Sequence, residues 1–86
     1  MNSLFKKFKY VVVYDYEFKI TDGNPPKPVC VVYKELHKQK IYKVWCVDKF
    51  PRSLFPIDET LFIAHYSNAE VSCDIALGYE KPKYIW

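Results

Sequence analysis

The sequence predicts an α/β domain built on a mixed sheet, and three observations support this. Three β-rich segments follow one another with only short polar links between them. A fourth, shorter apolar segment runs into a helix whose two ends are both marked, and the last four residues return to strand composition. With 86 residues the chain closes a single modest core, because a domain of this size buries only about 60% of the surface its unfolded chain exposes. Half of the residues are hydrophobic, 19% are aromatic and two are glycine, a composition that belongs to a packed domain and not to a disordered tail. The formal net charge of +3 permits a polyanionic partner without requiring one.

The first strand is "KYVVVYDYEF" (9–18), rich in β-branched and aromatic residues and apolar toward both faces. That pattern predicts a central strand covered on both sides. "DGNPP" (22–26) gathers turn-forming residues and reverses the chain into a second strand, "KPVCVVYKEL" (27–36). "HKQK" (37–40) reverses it again into a third, "IYKVWCV" (41–47), so the first three strands read as an antiparallel meander. Pro51 and Pro56 interrupt the stretch 48–60, which leaves room for a loop or one helical turn. "LFIAHY" (61–66) is a short strand of nearly continuous apolar character. The helix follows at 67–78: Ser67 as N-cap with Glu70 three residues on forms a capping box, and Gly78 suits the position just past the end. After Pro82, "KYIW" (83–86) starts another strand. The order describes the first half of an α/β domain, with 1–86 as a single partial domain truncated before its last helices.

Cys30, Cys46 and Cys73 are odd in number, widely spaced and set in apolar sequence without a C-x-x-C pair, which predicts reduced thiols in a core and no zinc site. "MNSLFKKFKY" lacks the apolar stretch of a signal peptide, and no run approaches the ~20 residues of a membrane helix. The expectation is a soluble, cytoplasmic protein.

Chemistry concentrates where the first strand turns acidic. Asp15 and Glu17 are two residues apart, so they project from one face of the strand about 7 Å apart at Cα. Two carboxylates about 5 Å apart repel by roughly 3 kcal/mol at an effective dielectric near 20. Either the strand reaches solvent at Asp15, or a hard divalent cation such as Mg²⁺ or Mn²⁺ compensates the charge. If "LFIAHY" lies parallel to the first strand and beside it, the helix start brings Glu70 to the same end of the sheet, where α/β folds place their sites. Glu70 is then a capping residue, a cation ligand or both. Asp74, one turn further on, is either a supporting group or a solvated surface acid. Tyr16 and Phe18 flank the acids, and either stack a base or pack in the strand. "KKFK", "HKQK" and "EKPK" interleave lysines with aromatics, which suits phosphate tracking and equally the protection of strand edges.

"VVVYDYEF", followed by a turn and "PVCVVYKEL", resembles the first motif of the DnaQ-like (DEDD) 3′–5′ exonucleases, and "LFIAHYSNAEVSCDIALGYEKP" resembles their second-motif region. The likeness is to the branch in which a Glu replaces the usual Asp, found as the proofreading domain of some bacterial and phage family-A DNA polymerases. It covers nearly the whole chain. The resemblance implies an RNase H-like fold, a two-ion Mg²⁺ or Mn²⁺ site and hydrolysis at single-stranded DNA 3′ ends. It implies Asp15, Glu17 and Glu70 as catalytic metal ligands: Asp15 on both ions, Glu17 on the first and near the terminal 3′ hydroxyl, Glu70 supporting the second. The family's third motif, a His or Tyr base with a final Asp, has no counterpart here. His65 is a weak substitute at a strand end, and His37 sits in a turn. Little activity is therefore expected alone. The partner would be a complementing C-terminal chain or another copy pairing at a sheet edge. The alternative function is a noncatalytic remnant or interaction module.

Overall fold

The computed structural model describes residues 3, 5–20, 22–48, 50–65 and 67–86. One five-stranded mixed sheet organises the chain, in the spatial order β3-β2-β1-β4-β5. Strands β1 (Tyr10–Lys19), β2 (Lys27–Glu35) and β3 (Lys40–Trp45) form the expected antiparallel meander. Strand β4 (Thr60–Ile63) pairs parallel to β1, helix α1 (Ser67–Ala76) follows it, and β5 (Tyr84–Ile85) returns parallel to β4. The Pro51–Pro56 stretch contains a single 3-10 turn, Arg52–Leu54, as two prolines this close allow. Among the described residues no helix is long and apolar enough to cross a membrane.

β1 is central in pairing order but is not fully covered on both faces, as its apolar run had suggested. Register partners share a face, so one face carries Val12, Tyr14 and Tyr16 beside Val31 and Tyr33 of β2 and Phe62 of β4. These side chains form the core together with Phe55 and Cys73. The Tyr14 and Tyr33 rings stack with centroids 6.0 Å apart, and Phe50 stacks on Tyr33 at 4.7 Å. On the opposite face Val11 and Leu61 are buried, but Val13, Val32, Ile41 and Trp45 are exposed. The apolar run does not separate the faces, because valines at 11, 12 and 13 look alike in sequence whichever face they meet.

Both turns around the helix and meander have local causes. Gly78 adopts φ 83°, and the amides of Gly78 and Tyr79 donate to the carbonyls of Ile75 and Asp74, the two bonds of a Schellman ending. The helix begins at Ser67, the residue expected as its N-cap, and the residue before it lies outside the described residues. The β2–β3 turn is held by Glu35, which is 3% exposed: one carboxylate oxygen accepts from the Val11 amide at 2.9 Å and the other from the Lys38 amide at 2.7 Å. Gln39, at φ 56°, returns a side-chain bond to the Leu36 carbonyl. Replacing Glu35 by Ala leaves the buried Val11 amide without an acceptor. The expected cost is about 1–3 kcal/mol, read as a fall in Tm of roughly 4–8 °C per kcal/mol by circular dichroism, with Glu35→Gln losing less because its amide oxygen still accepts one bond.

Candidate functional site

β1 outruns its parallel neighbour. Pairing with β4 stops at Val13↔Ile63, whereas pairing with β2 continues to Lys19 with a bulge between Glu17 and Phe18. Residues 14–17 therefore expose one strand edge where β4 has ended, and the first turns of α1 fill that notch. Asp15 and Glu17 project together from the open face, as the two-residue period requires, and both are exposed.

Glu70 reaches the notch from the other side. It is 4% exposed, and its Oε1 accepts from the Tyr16 amide at 3.3 Å. Its carboxylate thus bonds to β1, where the capping-box expectation had it turned back to the start of its own helix. Burial pushes the Glu70 carboxyl up from its ordinary pKa, the Tyr16 amide pulls it back, and the negative charge of Asp15 pushes it up again. The structure thus brings Asp15 and Glu70 within each other's fields. Glu17 stays further along the strand, and among the described residues no three His, Cys, Asp or Glu side chains gather closely enough to hold a metal ion.

Asp74 is not a surface acid. It is fully buried, and four groups donate to its carboxylate: the hydroxyls of Tyr16 at 2.7 Å and Tyr14 at 3.0 Å, and two nitrogens of Arg52 at 2.8 and 3.2 Å. The guanidinium in turn lies over aromatic faces, 4.6 Å from the Phe62 centroid and 4.9 Å from that of Tyr79. Burial alone would lower the Arg52 pKa, but the bond to Asp74 and its charge more than offset that. Burial also raises the hydroxyl pKa values of Tyr14 and Tyr16, with Asp74 adding to both. Asp74 and Arg52 lie 22 residues apart and no local motif joins them. The signal available in sequence was indirect: an arginine between two prolines, in a loop that also carries Phe50 and Phe55.

Tyr16 faces the core with its hydroxyl on Asp74, so it packs in the strand and does not offer a stacking surface beside the acids. Phe18 is half-buried against the same core. His65 is exposed on the rim, and His37 lies in the β2–β3 turn, where Nε2 is 3.0 Å from the Phe8 carbonyl. All three cysteines are free thiols, and burial pushes Cys73 up to about 12, with the charges of Glu70 and Asp74 adding, which leaves it inert. A shallow depression of about 420 Å³, lined by Val13, Ile63, Ala64, His65 and Trp86, opens on the carboxylate face next to Asp15. Nothing in the sequence order marked it, because its walls come from two strands, the two residues after β4 and Trp86.

The raised Glu70 pKa carries a sign. Below the unfolded carboxylate range, about pH 4.3, the group is protonated in both states and its contribution to stability is complete. As pH rises through the higher folded value, the folded state loses that contribution. Glu70→Gln, which keeps an acceptor for the Tyr16 amide and never ionises, should match the parent near pH 3.5 and melt a few degrees higher at pH 7 without divalent ions. Thermal melts across that range check it. Comparison with protein-family models, with curated proteins and with solved structures finds no match to this chain, so its function has to be read from the geometry of this sheet end.

Proposed function

We propose that the chain is the N-terminal half of a DnaQ-like 3′–5′ exonuclease domain of RNase H-like fold, of the kind that proofreads for a family-A DNA polymerase. One observation carries the proposal: Glu70, on the helix after β4, is buried against β1 in the electrostatic field of Asp15. Burying a carboxylate beside another carboxylate is costly unless a proton or a cation relieves the repulsion, and a divalent cation is the relief proposed here. The strand order supports the same assignment, with three antiparallel strands, a fourth parallel to the first, and a helix after it.

The donors are hard oxygens, which fits Mg²⁺ or Mn²⁺. Asp15 and Glu70 would hold one ion between them as a two-carboxylate site open to water and phosphate oxygens, and Glu17, further along the same face as Asp15, would meet the substrate end and not the same ion. Such ions activate water and steady the charge that develops on a phosphodiester. Asp15 and Glu17, exposed on the open face, stay accessible to a single-stranded DNA 3′ end, and the depression beside Asp15 offers its terminal nucleotide an apolar wall. The base and final carboxylate of the third motif would come from a complementing polypeptide segment.

A second function is favoured by the open sheet face. A noncatalytic interaction module would use the exposed Val32, Ile41 and Trp45 and the free edge of β3 to pair with a partner chain or another copy. Divalent ions separate the two. Calorimetric titration with Mn²⁺ and Mg²⁺ should give saturable binding that is abolished in Asp15→Ala/Glu17→Ala. Absence of binding in the parent chain would sink the nuclease assignment and leave the interaction module.

A further inference from the structure

The carboxylates of the sheet end are carried by different elements, Asp15 by β1 and Glu70 by α1, and no backbone pairing joins the two elements. What fixes their separation must therefore be a side-chain contact. Along β1, alternate amides point to opposite neighbours. The Val11 carbonyl accepts from Leu36 on the β2 side, so the odd-numbered positions bond to β2 and the even-numbered ones face β4. At Tyr16 there is no β4 left to pair with, and the Glu70 carboxylate takes the amide instead. That bond to β1, 3.3 Å long, is a weak hold for a helix.

One turn further along α1 lies a much stronger one. Asp74 binds the hydroxyls of Tyr14 and Tyr16, the residues on either side of Asp15, and its own geometry is locked by the two-pronged contact with Arg52. We propose that Asp74, fixed by Arg52, is a positioning residue: by gripping the Tyr14 and Tyr16 hydroxyls it sets Glu70 against the acidic end of β1. The cluster is an expensive way to hold a helix if stability were its only task, because buried ion pairs are often matched or exceeded by apolar packing of the same volume. What apolar packing does not supply is direction. Four short, charge-assisted bonds converge on one carboxylate and allow α1 one rotation and one height above β1. The consequence for cation affinity rests on the proposed function.

The test removes the grip without stranding a charge. Tyr14→Phe/Tyr16→Phe keeps the rings and leaves Asp74 paired with Arg52. In the folded variant, amide exchange followed by NMR should accelerate at least tenfold at Tyr16 relative to Val13 and Asp15, whose amides face β2. The Mn²⁺ dissociation constant should rise at least fivefold, with Arg52→Lys giving a smaller change in the same direction because it keeps the charge and loses the fork. Tyr16→Phe alone serves if the double variant does not melt cooperatively. Exchange at Tyr16 that changes only in step with its neighbours would overturn the proposal, as would selective acceleration with unchanged Mn²⁺ affinity. If the parent chain binds no Mn²⁺, the nuclease assignment fails by itself, and the exchange pattern alone decides whether Asp74 positions Glu70.

Discussion

The burial of Asp74 is the constraint on which the rest of this structure depends. A carboxylate with no exposure needs its charge and its lone pairs satisfied, and the fold meets that demand from three separate stretches of chain: β1 through Tyr14 and Tyr16, the proline-bounded loop through Arg52, and α1 through Asp74 itself. Each contributor is thereby tied to the other two. The loop cannot lift away without exposing an aromatic cage and stranding Asp74, and α1 cannot slide along β1 without leaving two tyrosine hydroxyls unpaired. In a chain of this size, with one helix against one sheet, the polar cluster does what a second layer of helices would do in a larger domain.

The same arrangement explains why Glu70 tolerates an unfavourable position. Its carboxylate is buried, accepts a long bond from the Tyr16 amide and another from its own amide, and is repelled by Asp15. It stays because the helix that carries it is anchored one turn later. Stability supplied at Asp74 offsets the unfavourable placement of the Glu70 carboxylate. The two acids on one helical face thus have opposite circumstances, one fully satisfied and one under-satisfied, although they look interchangeable in the sequence.

Much of the architecture was legible because local chemistry and global fold agree. The turn at 22–26, the reversal at 37–40, the proline-limited 3-10 turn and the glycine ending of α1 all stand where their residue types place them. That β4 and β5 are strands followed from short apolar runs on either side of a helix, whereas the parallel pairing of β4 with β1 was implied by the resemblance and not by the run itself. Asp15 and Glu17 were legible as a same-face pair, since a period of two admits nothing else. Asp74, Arg52 and Glu35 were not legible, because each is satisfied by residues far away in sequence, and a buried acid in a helix or at a strand end has the same one-letter signature as an exposed one. The extent of burial on β1 was misjudged for a related reason: three successive valines say that a strand is apolar, not which of its faces finds a cover.

The two faces of the sheet are unequal in a way that bears on function. Nearly every strong interaction, the stacked tyrosines, the arginine cage and the buried carboxylates, lies on the α1 side, which makes that side rigid and leaves little of it for binding. The other face is sparsely covered and mixed in character, with Lys34 and Lys43 among its apolar side chains, and Asp15 and Glu17 stand in it beside exposed Val13 and Val32. An acid on an open face can exchange ligands, whereas one in the core cannot. The notch left where β4 ends at Ile63 joins the two environments, since only there can a side chain rooted in the rigid layer reach the edge of a strand whose acids point into the open one. Glu70 occupies that point. On the proposed function, a site assembled across such a notch would take its precision from the packed side and its access from the bare one, so that α1 would have to be fixed in register with β1 before the exposed acids could act together with Glu70.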